Sequence, residues 1–204
     1  MLKIDCRNEE KFNEFIANLD NPDLTGREVW FTGFDEEDGF NQDKFDLLLD
    51  ALKPNKTITH IVLSSNDIGP IGTAKLAETL KVNDTITHID LSDNNIGPEG
   101  VEKLTEASKV NKTITHIDLS NNNIGAEEAA KLAKAYITYI NLSDNKIGST
   151  GIEKLAEALK VSKCLTHIDL SDNNIGPEEA AKLYEGLEVN KYLTNINISD
   201  NNIP

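Results

Sequence analysis

The chain has 204 residues and carries 35 acidic against 20 basic side chains, a formal net charge of −15. That length suits one domain, and so acidic a chain, with only Arg7 and Arg27 as arginines, lacks the clustered Lys and Arg that a nucleic-acid backbone requires. No apolar run approaches the roughly 18 residues of a membrane span. Met1-Leu2-Lys3-Ile4-Asp5 has no signal-peptide character, and two widely spaced cysteines, Cys6 and Cys164, are expected to stay free thiols in a reducing, cytoplasmic compartment.

Residues 1–56 hold two irregular strand–helix units. Leu2-Lys3-Ile4-Asp5-Cys6 can form a strand, and residues 9–20 can form a helix carrying Phe12, Phe15, Ile16 and Leu19. Val29-Trp30-Phe31 reads as the next strand, and residues 42–53 as the next helix, with Phe45, Leu48, Leu49 and Leu52. All six Phe and the one Trp precede residue 46. Large aromatics at the start of a stack predict a cap over the units that follow. The alternative is an aromatic binding patch on a loop over residues 32–41.

From residue 57 the sequence copies itself. Close versions of Thr-Ile-Thr-His-Ile-Asp-Leu-Ser-Asp-Asn-Asn-Ile-Gly start at Thr57, Thr85, Thr113, Tyr136, Cys164 and Tyr192, with steps of 28, 28, 23, 28 and 28 residues. A fixed period in this range predicts a solenoid whose units bury their apolar sides only against their neighbours. In the copy at residues 86–96, Ile89-Asp90-Leu91 alternates as a strand does. Asn94 follows inside the apolar series, matched by Asn66, Asn122, Asn145, Asn173 and Asn201. One Asn per unit at that place predicts a buried amide that bonds the turning backbone.

Gly69, Gly97, Gly125, Gly148 and Gly176 then end the turn, and Pro70, Pro98 and Pro177 open a helix. Residues 98–110 put Val101, Leu104 and Ala107 inward and Glu102, Lys103 and Glu106 outward. Eight parallel strands are therefore expected, near residues 3–6, 28–31, 60–63, 88–91, 116–119, 139–142, 167–170 and 195–198. The unit starting at Thr113 keeps a helix over residues 126–135 but lacks anything matching residues 108–112, which predicts a thinner helical side there. The last copy stops after its Asn turn, so a C-terminal cap is expected to be absent. That edge would be covered by further chain, by a partner, or by self-association.

The pattern Leu-x-x-Leu-x-Leu-x-x-Asn-x-Leu, with Ile often for Leu, followed by Gly and a helix at a 28-residue period, resembles the leucine-rich repeat, ribonuclease-inhibitor-like subtype. The match is close over residues 57–204 and loose over residues 1–56. The resemblance implies an α/β fold: a right-handed solenoid or horseshoe with a parallel concave sheet and convex helices. Residues 1–56 would be the cap and residues 57–204 the regular repeats of one continuous domain.

All four histidines hold one repeat position: His60, His88, His116 and His167, with Tyr139 and Asn195 in the same slot. Strands about 4.8 Å apart predict a row of stacked rings. Beside it run Val62, Asp90, Asp118, Asn141, Asp169 and Asn197, then a serine row from Ser64 to Ser199, then Ser65, Asp93, Asn121, Asp144, Asp172 and Asp200. The resemblance places these rows on the concave face, where the family binds partners. Three readings follow: a copied polar face, a partner-contacting surface, or a metal or acid–base site at His88, His116, Asp90 and Asp118. Parallel rows do not converge as metal ligands must, and no positioned nucleophile or phosphate loop stands out, so no metal, cofactor or catalytic residue is assigned. The acidic surface favours a basic protein partner. Five Asn-x-Ser/Thr triplets, at Asn55, Asn83, Asn111, Asn141 and Asn197, read as by-products of repetition.

The leading expectation is a non-enzymatic protein-interaction scaffold. Abundant Lys, Asn and Ile and near-identical units also fit a bacterial effector delivered into a host cytosol. The alternative, a GTPase-activating or regulatory protein of the same repeat type, would need a placed arginine, for which only Arg7 and Arg27 are available.

Overall fold

In a computed structural model of the protein, residues 1–36 and 39–203 are described. Apolar residues alternate along each strand segment and recur every third or fourth residue along each helix. The two apolar sides can therefore meet only if strand and helix pack face to face. Repetition turns that local packing into one long sheet. Strands β1 (Leu2–Asp5), β2 (Glu28–Thr32), β5 (His60–Val62), β6 (His88–Asp90), β7 (His116–Asp118), β8 (Tyr139–Asn141), β9 (His167–Asp169) and β10 (Asn195–Asn197) lie side by side in that order, every pair parallel. Each of the last six ends one residue before the expected position. Backbone pairing nevertheless continues, from Leu91 N–H to Asp118 O and from Asp93 N–H to Ser120 O.

Helices α1 (Glu9–Ala17), α2 (Gln42–Leu52), α3 (Gly69–Val82), α4 (Gly97–Val110), α5 (Ala126–Leu132), α6 (Gly148–Val161) and α7 (Pro177–Val189) alternate with these strands. Leu76, Leu104, Leu155 and Leu183 point into the core opposite Ile61, Ile89, Ile117, Ile140 and Ile168. The shortened unit has the shortest of these helices, α5, which packs closely on α6 and only lightly on α4. Helix α1 ends three residues before the predicted Asp20, because Asn18 leaves helical geometry and its amide bonds Glu14 O. The segment 32–41, read as a loop, contains a short antiparallel pair, β3 (Asp35–Glu36) with β4 (Gly39–Phe40); its residues 37 and 38 lie outside the described ones, as does Pro204.

The phenylalanines form one edge-on cluster beneath the first units: Phe34 meets Phe12 at 6.1 Å and Phe45 at 5.3 Å, and Phe15 meets Phe31 at 5.6 Å. Trp30 does not join them, contrary to its grouping with the cap. It pairs in register with Val62 on the opposite face of the sheet, because Val29 and Phe31 take the two inward positions of β2.

Each turn is held by its buried asparagine. Asn122 donates to Leu91 O and Ser120 O, and its carbonyl accepts from Asn94 and Ile96 N–H, at 2.8–3.2 Å. Asn66, Asn94 and Asn145 repeat the arrangement. A second ladder, unforeseen in the sequence, runs where helix returns to strand. Asn83 donates to Leu52 O and Asn55 O, and Asn111 to Leu80 O and Asn83 O, while each carbonyl accepts two backbone N–H groups ahead of the next strand.

Candidate interaction surface

On the sheet face opposite the helices, strand pairing in strict register aligns the repeat positions. Glu28, His60, His88, His116, Tyr139, His167 and Asn195 form one row, and Trp30, Val62, Asp90, Asp118, Asn141, Asp169 and Asn197 the next. The predicted ring stack is present. His60 and His88 centroids lie 3.9 Å apart and His88 and His116 4.0 Å apart, with nearly parallel planes, and Tyr139 continues the stack 5.4 Å from His116. His167 follows at 6.3 Å, tilted.

The ring orientation is fixed by the residue before each histidine. Thr59, Thr87, Thr115 and Thr166 place Oγ1 2.7–2.9 Å from Nδ1 of His60, His88, His116 and His167. Three of those hydroxyls already give their one proton to a backbone carbonyl: Thr87 to Thr59 O, Thr115 to Thr87 O and Thr166 to Thr138 O. A hydroxyl has one proton to give, so in these three pairs the threonine accepts and the imidazole Nδ1–H donates. This hydrogen-bond pattern assigns the proton of His88, His116 and His167 to Nδ1 and leaves Nε2 as an acceptor with no partner among the described residues.

Charging His88 and His116 is disfavoured. Burial, and then the neighbouring His116 and His60, push His88 down to about 4. Burial, with His60 and His167, lowers His116 as well. Burial, followed by the nearby Asp118 and Glu28 charges, raises Asp90 against the bonds from Ser92 that favour its carboxylate.

The acidic rows have a structural task of their own. Asp90, Asp118 and Asp169 each accept from the N–H and hydroxyl of the serine two residues on, at 2.7–2.9 Å, which fastens the turn. The outer oxygens of Asp118 and Asp169 accept from Asn141 and Asn197. Asp93, Asp144 and Asp172 sit at φ 51–55°, with Ser65, Asn121 and Asp200 alike. Among residues with a side chain, Asn and Asp tolerate that left-handed backbone best, so chain geometry accounts for their composition.

Glu28, His60, Val62, His88, Asp90, His116, Asp118 and Tyr139 enclose a shallow depression of about 200 Å³. Glu28 and Trp30 were missed in the sequence; the available signal was the alignment of Glu28-Val29-Trp30 with His60-Ile61-Val62. Among the described residues, no three His, Cys, Asp or Glu side chains converge to hold a metal ion. Cys6 is buried, and burial pushes its thiol up to about 12. Among the described residues, no helix is long and apolar enough to cross a membrane.

Five segments, residues 55–77, 82–104, 110–133, 134–156 and 161–183, match the family described as leucine-rich repeat. No curated protein sequence matches the chain. Among solved structures, actin-binding site 2 of leiomodin-1 is similar with a TM-score of 0.54 at 18% identity, covering 87% of this chain and 88% of that one. The tropomodulin C-terminal domain of Caenorhabditis elegans reaches 0.58 at 13% identity, covering 71% and 92%. The leucine-rich repeat-containing protein LegL7 of Legionella pneumophila reaches 0.57 at 22% identity, covering 77% of this chain and 52% of that one. At these identities the likeness is one of fold.

Proposed function

This chain belongs to the leucine-rich repeat family, and from that premise we propose that it is a non-enzymatic scaffold binding a basic protein partner on the open face of its sheet. The observation that carries the reading is the ordered row of Glu28, His60, His88, His116, Tyr139 and His167, part-exposed and orientated by the strands beneath. Such a row holds polar and aromatic groups in place before a partner arrives, which lowers the ordering cost of binding. Asp90, Asp118, Asn141 and Asp169 form the adjoining contact row, with Asp93, Asp144 and Asp172 at its rim. Residues 1–56 serve as the cap.

Leiomodin-1 offers a parallel, since the similar structure there is an actin-binding site. The same proposal extends to an effector working in a host cytosol, supported by the near-identity of the units. The GTPase-regulating alternative has less support, because Arg7, one of two arginines, is engaged by both carboxylate oxygens of Asp5 at 3.0 and 3.2 Å.

The test is affinity capture from eukaryotic cytosol with three baits: the unaltered protein, a Tyr139→Ala/His167→Ala variant, and an exposed helix-side control, Glu185→Ala. A stoichiometric protein is expected on the first and third baits, released by salt as a charge-complementary contact should be. Equal capture by all three would remove the open face from the proposal.

A further inference from the structure

The depression over the histidine row offers a ligand acceptors and almost no donors. Nε2 of His88 and of His116 is left bare by the Nδ1–H bonds to Thr87 and Thr115. The two rings stack 4.0 Å apart, so these acceptors stand side by side. Asp90 uses Oδ1 for the Ser92 turn, and its Oδ2 has no hydrogen-bond partner among the described residues. Glu28 is exposed at the head of the row and is likewise unpartnered among them. Tyr139 closes the other end with a hydroxyl able both to donate and to accept. Val62 and the imidazole rings supply an apolar floor.

An occupant must therefore bring a positive charge, several donors spread in a plane and an apolar stem. A guanidinium meets all three: five N–H groups in a rigid fork, permanent charge, weak hydration, and a flat face that stacks on aromatic rings. An ammonium is a compact, strongly hydrated point charge and reaches fewer separated acceptors. The roughly 200 Å³ of the depression admits one side chain. We infer that the depression bounded by Glu28, His60, His88, Asp90, Asp118 and Tyr139 is a seat for an arginine side chain presented by a protein partner. This rests on the scaffold reading above and adds to it the residue type that the partner must supply.

The probe is Nα-acetyl-argininamide, titrated into the full chain and followed by NMR of the imidazole and tyrosine rings, with the lysine and citrulline analogues in parallel. Saturable shifts are expected at His88, His116 and Tyr139 and none at Tyr184 on α7. The arginine probe should bind several-fold more tightly than the lysine one, and the uncharged citrulline probe should leave the rings unmoved. Glu28→Gln, which removes a charge that no fold contact uses, should weaken arginine binding by about tenfold, the loss expected for one charge-assisted contact. Equal response to lysine, response to citrulline, or no saturable response at His88 and His116 would each overturn the seat. Those failures leave the scaffold reading intact, because the capture experiment tests it with variants and a readout of its own.

Discussion

Asparagine and histidine each hold a fixed repeat position here, yet one is consumed by the fold and the other is left to face outward. Replacing Asn122 by Ala strips four hydrogen bonds from buried backbone groups and should cost roughly 1–3 kcal/mol or more in urea denaturation. Asn123 is the neighbouring surface residue, but it sits at φ 56°, where Ala itself is strained by about 1–2 kcal/mol. Asn123→Gly is the proper comparison and should leave the midpoint almost unchanged. In the second ladder, Asn111→Ala should lose as much as Asn122→Ala. Ser162→Ala should be neutral or slightly stabilising, because that hydroxyl is buried without a hydrogen-bond partner among the described residues. The first ladder was legible because Asn94 and its kin interrupt an apolar series. The second was not, because Asn83-Asp84-Thr85 and Asn111-Lys112-Thr113 also spell a glycosylation triplet, and nothing local distinguishes a buried amide from an exposed one. The histidines add a pH dependence. An ordinary imidazole switches between about pH 5 and 7.5. In the fold His88 falls to about 4, so the unfolded chain takes up its proton first. Its contribution to stability is complete above about pH 6.5 and is lost as pH falls from there toward 4; Asp90, raised by burial, works in the opposite sense. NMR titration should place the His88 midpoint well below pH 5, and a midpoint near 6.5 would refute the buried, stacked environment.

Elements were legible where apolar spacing alone determines them. The eight long-sheet strands fall within a residue or so of their predicted positions because Ile-x-Leu alternation admits one register. The β3–β4 pair escaped notice because two-residue strands carry no period to read. Helix packing was partly hidden too, since a glycine inside a helix looks like a weakness in sequence and can be a requirement in space. Gly186 lies in the last turn of α7, and a Cβ there would come within 2.6 Å of Ala156 O and 3.2 Å of its carbonyl carbon on α6. Backbone atoms cannot step aside as a side-chain tip can. Gly186→Ala should therefore lower the thermal midpoint, at a cost of about 1–3 kcal/mol, although alanine is the better helix former by about 1 kcal/mol. An unchanged or raised midpoint would show that α6 and α7 have room to separate.

Over the whole molecule the array is regular from residue 57 onward except at one place, and both ladders lose bonds near it. The short unit has no asparagine at the second ladder's position, two residues before the next copy, where Lys134 stands, and in the turn after it Lys146 N–H bonds Ile124 O while the Asn173 carbonyl stays buried with no hydrogen-bond partner among the described residues. In a nearest-neighbour stack, a weak interface limits the cooperativity of the whole. Inserting Ser-Lys-Val-Asn-Lys after Ala135 restores the 28-residue step and the missing asparagine, and it should raise the urea midpoint. The step of 23 residues was plain in the sequence; its effect on the ladders was not, because those bonds join units that are distant in sequence. The irregular unit also bears on how the chain finds its fold. Near-identical neighbours can dock out of order, one unit skipping the next, and such traps are a characteristic failing of repeat chains. A unit shorter by five residues fits only its own place, so it labels position along an otherwise uniform chain and removes competing arrangements from the landscape. The repaired, more stable variant is then expected to refold with an additional slow phase in stopped-flow kinetics, the symmetric array having lost the mark by which its units are counted.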